Sequence, residues 1–167
     1  MDRMKKILDR TLETITVALF VIMIVVGSWQ VISRYVFNSP STVTEEFLRF
    51  SLIWLAMLAA AYVIGRNTHI AITMLRDKLK DGPRVKLDIL VQIIFILFAA
   101  IIMLFGGGKA TSLTMGQISP SLGIPMGLIY LSLPVSGVFA LFYSTYNILN
   151  LLKEKKEIEV NSKRNAA

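Results

Sequence analysis

The chain has 167 residues, of which 54% are hydrophobic, and it carries a formal net charge of +7 and no cysteine. Its mean hydropathy of +0.63 excludes a water-soluble domain, because a small domain has too much surface to bury this much apolar material. The lack of cysteine excludes disulfides and thiolate metal sites. The charge does not indicate nucleic-acid binding, since the basic residues collect at the ends of the apolar runs.

Four apolar segments predict an all-α integral membrane protein with a single membrane domain. A helix needs about 20 apolar residues to cross the hydrocarbon core, and the predicted spans cover residues 12–33, 43–65, 84–113 and 125–152. The first run is too long for the apolar part of a cleaved signal peptide and lacks a small-x-small cleavage site, so we expect it to stay in the membrane. Pro125 begins the fourth span, where proline suits the first helical turn.

The lysines and arginines predict the orientation of these spans. Of the 18, all but Arg34, Arg49 and Lys109 lie in the N-terminal segment, in the connection between the second and third spans, or in the C-terminal segment. Because cytoplasmic segments carry an excess of basic residues, both termini are predicted to be cytoplasmic. The connection between the first and second spans then lies on the outer side of the membrane.

That outer connection, residues 34–49, is a short polar stretch with strong local signals. Its Asn38-Ser39-Pro40 sequence is typical of a turn. The pattern Thr42-x-x-Glu45 is a capping box, in which two side chains satisfy the free backbone N–H groups of a helix start. We therefore predict that the second helix starts near Val43.

Two glutamates and an arginine follow in the first turns of this helix. Glu45 and Glu46 favour the positive end of the helix dipole, and Arg49 lies three or four residues further, within reach of both. Two interpretations stay open. The cluster is either a solvated cap with a weak surface ion pair or a surface that docks a partner.

The second predicted helix also carries features that indicate packing against protein. Trp54 lies about 18 Å along the helix from its cap, near the middle of the bilayer, whereas tryptophan prefers the membrane interfaces. The pairs Ala56-x-x-x-Ala60 and Ala61-x-x-x-Gly65 have the small-residue spacing that lets helices approach closely. Packing within the four helices is the alternative explanation for at least one of these faces.

The segment 69–80 is too short and too polar to span the membrane. Its apolar residues recur at helical spacing and its basic residues can lie on the opposite side, which predicts an amphipathic helix in the inner interface. An ordinary solvated connection is the alternative. The predicted contacts with membrane lipids are Arg66, His69, Arg76, Lys78 and Lys80. At the other end of the chain, residues 161–167 are expected to form a disordered tail.

No predicted span has an ionisable residue near its middle, where a proton relay or an ion-coupled site usually needs one. By its position, Glu13 is similar to the membrane glutamate of small four-helix multidrug exporters, but Asp9 and Arg10 one turn earlier place it at the inner interface. His69 is the only histidine and indicates no metal site. Gly106-Gly107-Gly108 lacks the spacing of a phosphate loop and indicates a loosened end of the third helix. We therefore expect no enzyme, cofactor or metal.

An ordered set of short motifs resembles a known family. The set is Arg34-Tyr35-Val36-Phe37-Asn38-x-Pro40, Glu45-Glu46-x-x-Arg49, Ile53-Trp54, Ala60-Ala61, Arg66 and His69-Ile70. It resembles the small membrane subunit, of DctQ type, of tripartite ATP-independent periplasmic (TRAP) transporters. The close pattern covers about Gln30 to Ile72, and the length, four-helix layout and cytoplasmic termini match over the whole chain. The family often has tryptophan in place of Val43 and aspartate in place of Thr73, so the resemblance assigns these two positions no role.

The resemblance implies a subunit of a sodium-coupled uptake system in the bacterial inner membrane. In such a system a periplasmic substrate-binding protein captures an organic acid, of the sialic acid or C4-dicarboxylate type, and a large multi-helix subunit moves it by an elevator-type motion. The small subunit is a fixed scaffold. The candidate contacts with the large subunit are Glu45, Glu46, Arg49, Trp54, Ala56 and Ala60. The candidate docking residues for the periplasmic protein are Arg34, Asn38 and Pro40.

Two other functions remain as alternatives. One is a self-sufficient small drug/proton exporter that uses Glu13. The other is a membrane-bound interaction protein without a transport role. No residue of the chain distinguishes sialic acid from the other possible substrates.

Overall fold

The computed structural model describes residues 2–66 and 81–164 of the chain. The helices there are α1 (Asp2–Tyr35), α2 (Thr42–Gly65), α3 (Asp81–Phe98), a π-helical segment (Ala99–Gly106), α4 (Gly107–Thr114), α5 (Gly127–Tyr130) and α6 (Ser132–Arg164). Ile118 and Pro125 form an isolated antiparallel β-bridge in the connection between α4 and α5. Since four long apolar helices dominate the fold, the predicted all-α class is confirmed.

Four stretches of helix in the described part are long and apolar enough to cross a membrane. They are Arg3–Tyr35, Thr42–Gly65, Leu87–Thr114 and Gly127–Lys153, and each overlaps one predicted span. At 1.5 Å per residue α1 is about 50 Å long, well beyond the hydrocarbon thickness of about 30 Å, so it tilts or extends into water. Residues 161–164 are helical, although the sequence predicted disorder there. The predicted interfacial helix at 69–80 lies outside the described residues.

The four spans form an open row rather than a closed bundle. Its order is α1, α2, α6 and then the continuous helix made of α3, the π-helical segment and α4. Within the described residues, no extensive contact joins α1 or α2 to α3. The most apolar stretch of α1 is not buried by the rest of the chain. Such a row leaves broad apolar faces for lipid or for another protein.

Neighbouring helices approach each other most closely at two glycines. A Cβ atom on Gly65 would lie 2.7 Å from the ring of Tyr143, so this ring of α6 packs directly against the backbone of α2. A Cβ atom on Gly107 would lie 2.7 Å from the Cβ atom of Leu133. The predicted loosened end at Gly106–Gly108 is therefore wrong, because these residues are helical and Gly107 is buried against α6.

A π-helical segment of 8 residues interrupts the third span. The backbone N–H of Gly107 donates to the carbonyl of Ile102, five residues earlier, which is the pattern that defines a π-helix. The fourth span is interrupted at Leu131, between α5 and α6. Pro134 lies in the first turn of α6, where a missing N–H group costs little.

The buried core lies where α2 and α6 meet the start of α1 and the π-helical segment. Its members are Leu12, Leu58, Ile64, Ala99, Met103, Ala140 and Tyr143. Near its start α1 also reaches α6, where the ammonium group of Lys5 lies 5.0 Å from the ring centroid of Tyr146. The row is thus packed tightly at this end, while α1 and α6 are bridged by α2 elsewhere.

Candidate functional site

The connection between α1 and α2 is an ordered turn. Asn38 has a φ of 49°, in the left-handed region that asparagine tolerates better than most residues. The backbone N–H of Ser39 donates to the carbonyl of Ser33 at 3.0 Å, and the Ser33 hydroxyl donates to the Ser39 carbonyl at 2.6 Å. These bonds satisfy the end of α1 and aim the chain toward α2.

The cap of α2 lies one residue earlier than the sequence predicted. Ser41 has extended backbone angles and its hydroxyl accepts the N–H of Thr44 at 3.5 Å, while the Thr44 hydroxyl donates to the Ser41 carbonyl at 2.9 Å. The helix therefore starts at Thr42, one residue before Val43 and close to the predicted start. The predicted capping box is wrong, because the third helical position after the cap is Thr44 rather than Glu45. The Glu45 carboxylate is therefore free to pair with other side chains.

Glu45 joins the end of α1 to the start of α2. Its Oε1 atom lies 3.4 Å from the Arg49 guanidinium, and its Oε2 atom lies 3.9 Å from that of Arg34. All three side chains are about half exposed or more. Exposed ion pairs stabilise a fold little, so this cluster is better described as a charged surface with more positive than negative charge.

Glu46 points away from that cluster and into the protein. It is 8% exposed, and its Oε2 atom accepts the backbone N–H groups of Ser121 at 2.9 Å and of Leu122 at 2.8 Å. The hydroxyl of Ser119 also hydrogen-bonds to this carboxylate. The sequence grouped both glutamates with Arg49, whereas the structure divides them between an exposed ion-pair cluster and a buried anchor.

The partner of Glu46 is a hairpin-like loop, Gln117–Met126, which we call the outer hairpin. The N–H of Ser119 donates to the Ile124 carbonyl at 2.9 Å, and the N–H of Met126 donates to the Gln117 carbonyl at 2.8 Å. Gly123 has a φ of 67°, which only glycine adopts freely. Successive backbone N–H groups in such a turn form a concave anion site, and the Glu46 carboxylate occupies it.

A second polar contact holds α2 at its opposite end. The side-chain amide of the buried Asn147 on α6 donates to the carbonyl of Ile64 at 3.1 Å, near the end of α2. Asn147 was not predicted, because its partner is 83 residues away in the chain. Nearby, the guanidinium of the exposed Arg66 lies 5.5 Å from the ring centroid of Tyr62. The other predicted lipid contacts, His69, Arg76, Lys78 and Lys80, lie outside the described residues.

Trp54 and the two predicted interface alanines of α2 lie on different faces of the helix. Trp54 is partly buried and packs against the core, on the same face as Leu58 and Ala61. Ala56 and Ala60 are exposed and lie about 160° and about 120° around the helix from Trp54 at 100° per residue. Trp54 and the two alanines therefore do not form one contact surface.

An apolar cavity of about 520 Å³ opens between α1, α2, the outer hairpin, α5 and α6. Apart from Ser51, its lining consists of apolar or aromatic side chains, including Trp54 and Phe50. Sites for small polar ligands need a few convergent polar groups to orient the ligand. This cavity is therefore unsuited to binding an organic acid.

Within residues 2–66 and 81–164, no group of three histidine or acidic side chains lies close enough to hold a metal ion. Glu13 is exposed on α1, beside Arg10 and Thr14, and it does not line the apolar cavity. The described part thus offers polar contacts that hold helices together and surfaces open to partners.

Comparison with known proteins matches the sequence to a transporter family. The family described as tripartite ATP-independent periplasmic transporters, DctQ component, matches residues 23–154. The chain is 31% identical to the sialic acid TRAP transporter small permease protein SiaQ of Vibrio cholerae, over 90% of this chain and 86% of that protein. It is 28% identical to a putative TRAP transporter small permease protein of Haemophilus influenzae, over 78% and 81% of the two chains. It is also 27% identical to the ectoine TRAP transporter small permease protein TeaB of Halomonas elongata, over 82% and 74%.

These matches confirm the family that the motifs predicted from the sequence. The family consists of membrane subunits of transporters and is not a class of enzymes. Membership implies partnership with a large membrane subunit and a periplasmic binding protein, and it agrees with a multi-pass protein of the bacterial inner membrane. The chain belongs to the DctQ family and is the small membrane subunit of a TRAP transporter.

Proposed function

We propose that this subunit is the fixed scaffold of a sodium-coupled uptake system for an organic acid. The large elevator-type subunit binds and moves the substrate, and the present chain packs beside it and helps to dock the periplasmic substrate-binding protein. The observation that supports this role most directly is the open row of spans, which leaves apolar faces that a second membrane subunit can cover.

The interior of the chain supports a scaffold rather than a carrier. The apolar cavity lacks the polar groups that an organic acid requires, and the described spans hold their ionisable residues near their ends. In addition, α2 is anchored at both ends, by Glu46 to the outer hairpin and by Asn147 to α6. Fixed helices of this kind suit a subunit against which another one moves.

The exposed face of α2 is the surface that we assign to the large subunit. Ala56 and Ala60 are small and exposed, so a partner helix can approach the backbone closely there. Leu52 and Ile53 flank them and are also exposed. Trp54, which was grouped with these alanines, packs on a different face and supports the surface from within.

The charged surface at the start of α2 is the part that we assign to docking. Arg34 and Arg49 share the single carboxylate of Glu45, which leaves a surplus of positive charge beside the exposed Asn38 and Pro40. Such a surface steers and orients a soluble protein that carries acidic groups. The assignment requires cytoplasmic termini, as the distribution of basic residues predicts.

The substrate class is proposed from similarity alone. The Vibrio cholerae relative is named for sialic acid, and the Halomonas elongata relative is named for ectoine. The higher identity to the first makes sialic acid the substrate to test before a C4-dicarboxylate. Because the small subunit has no substrate site in this proposal, its own residues do not determine the choice.

Purification and reconstitution test the proposed function. Native purification in mild detergent, followed by mass identification, should recover this chain with a large multi-helix protein. Proteoliposomes with both subunits should take up sialic acid when a sodium gradient and the binding protein are present, and should not do so without the small subunit. A stable homo-oligomer without a large partner, or transport by this chain alone, would contradict the scaffold role.

Substitution of Glu13 separates the scaffold from the self-sufficient exporter. An exporter that uses this carboxylate for proton coupling should lose activity in Glu13→Gln. A scaffold with an exposed Glu13 should retain the uptake rate of the wild-type complex, measured in the same proteoliposomes. Loss of uptake with normal assembly of the two subunits would favour a direct role of Glu13 in transport.

A further inference from the structure

The outer hairpin is hydrogen-bonded to α2 through one carboxylate, that of Glu46. Glu46 on α2 accepts two backbone N–H groups of the hairpin, from Ser121 and Leu122, across 75 residues or more of sequence. Ser119, which is 2% exposed, completes the contact. The cavity lies directly beneath, lined by Leu122 of the hairpin. Because this space is not filled by apolar side chains, apolar packing does not fix the hairpin by itself. The hydrogen bonds to Glu46 supply a directional contact.

The hairpin presents an uncharged and partly apolar surface. It lies beyond the ends of both neighbouring spans, at Thr114 and Gly127, and it is on the same side as the start of α2. Ile118 is 69% exposed, and Pro120 beside it is exposed as well. A large apolar side chain in that position is shielded from water when a soluble protein covers it.

The outer hairpin and the charged surface at the start of α2 together have the composition of a protein interface. Protein interfaces commonly combine a fully covered apolar centre with a polar or charged rim. Ile118 on the hairpin supplies an apolar anchor, and the Arg34–Glu45–Arg49 cluster supplies a charged region at the same end of the row. A soluble partner with an apolar patch beside acidic groups fits this pair of surfaces.

We propose that Glu46 is a positioning residue for docking of the periplasmic binding protein. By accepting the Ser121 and Leu122 N–H groups, it holds the outer hairpin in the orientation that brings Ile118 against that protein. This inference rests on the proposed function, because it requires the hairpin to be periplasmic and a soluble partner to dock there. It adds the outer hairpin, a surface that the sequence motifs do not include, and it gives Glu46 the role of supporting that surface.

Amide hydrogen exchange of the complex tests the anchor itself. In nanodiscs that contain both membrane subunits, Glu46→Ala should speed exchange in the hairpin at Ser121 and Leu122. Glu46→Gln keeps an acceptor oxygen at the same distance and should have a smaller effect. Glu45→Gln, a matched change at the neighbouring carboxylate, should leave these amides protected. Unchanged protection in Glu46→Ala would overturn the proposal.

Direct binding of the periplasmic protein to the same nanodiscs tests the consequence for docking. Glu46→Ala and Ile118→Ser should each raise the dissociation constant by roughly tenfold, the size of effect expected when one anchor contact is lost. Because Ile118 is exposed, its substitution keeps the test valid if Glu46→Ala assembles poorly. In the double variant the loss of binding free energy should be smaller than the sum of the two single losses, because Glu46 acts through the hairpin that carries Ile118.

The outcomes separate this inference from the proposed function. An unchanged dissociation constant in Ile118→Ser, or full additivity in the double variant, would overturn the role of Glu46 while leaving the scaffold function intact. A wild-type complex that does not bind the periplasmic protein would overturn both.

Discussion

The two faces of α2 have different surroundings. Glu45 and Glu46 are adjacent in the chain, yet the first is exposed beside two arginines and the second is buried against the outer hairpin. The 100° rotation between successive helical residues separates them. The difference teaches that one helix can act as the centre of the internal packing and as an open edge at once.

The same division continues along the helix. The internal face runs from Glu46 through Leu58 to Gly65, where the helix touches the ring of Tyr143. The external face carries Ala56 and Ala60 and has no covering element among the described residues. Substitutions on the internal face should therefore change stability, and those on the external face should change association. Stability here means the free energy of unfolding of the purified chain in detergent.

The largest effect is expected at Gly65. In Gly65→Ala the new Cβ atom would lie within 3 Å of three ring atoms of Tyr143, so α2 and α6 must move apart. Overpacking of this kind costs about 1–3 kcal/mol of the free energy of unfolding. Gly108→Ala is the matched control, because nothing lies within 4 Å of a Cβ atom there. Equal stability of the two variants would place α2 further from α6 than described.

Asn147→Leu should have the next largest effect on stability. The change leaves the Ile64 carbonyl without its side-chain donor and should cost about 1–2 kcal/mol. The control is Asn150→Leu, which makes the same change on the exposed side of α6. If both variants unfold at the same denaturant concentration, the amide does not anchor the end of α2.

Ala56→Leu and Ala60→Leu should leave stability nearly unchanged but weaken association with the large subunit. A leucine on this face prevents close approach of a partner helix, and we expect roughly a fivefold loss in the amount co-purified, equivalent to about 1 kcal/mol. Ala18→Leu adds the same side chain to the exposed face of α1 and serves as the control. Full co-purification of both α2 variants would move the interface to another face.

The smallest effect is expected for Arg49→Ala. Its ion pair with Glu45 is exposed, so the loss of stability should be at most about 1 kcal/mol and should shrink as salt is added. A double-mutant cycle with Glu45→Gln isolates the pair. A coupling that persists at high salt would show that the cluster is shielded from solvent, which would contradict its description as an exposed surface.

Much of the architecture was predictable because its causes are local. In a membrane each backbone polar group must be satisfied inside its own segment, so a long apolar run predicts a helix regardless of its neighbours. The turn at Asn38 and the ion pair of Glu45 with Arg49 also follow from residues close in sequence. The cap at Ser41 was missed by one residue, because serine and threonine can both cap a helix, and the spacing of Thr42 to Glu45 favoured Thr42 although serine is the better cap.

Length, apolar runs and short-range motifs were therefore sufficient to predict the four spans and the DctQ family. Only the tertiary structure decided the order of helices in the row, the division of α2 into two faces, and the partners of Glu46 and Asn147. These features join residues far apart in the chain, and they depend on how side chains of different helices fit together. An apolar run specifies that a helix forms, whereas its neighbour is selected by shape and by a few directional hydrogen bonds.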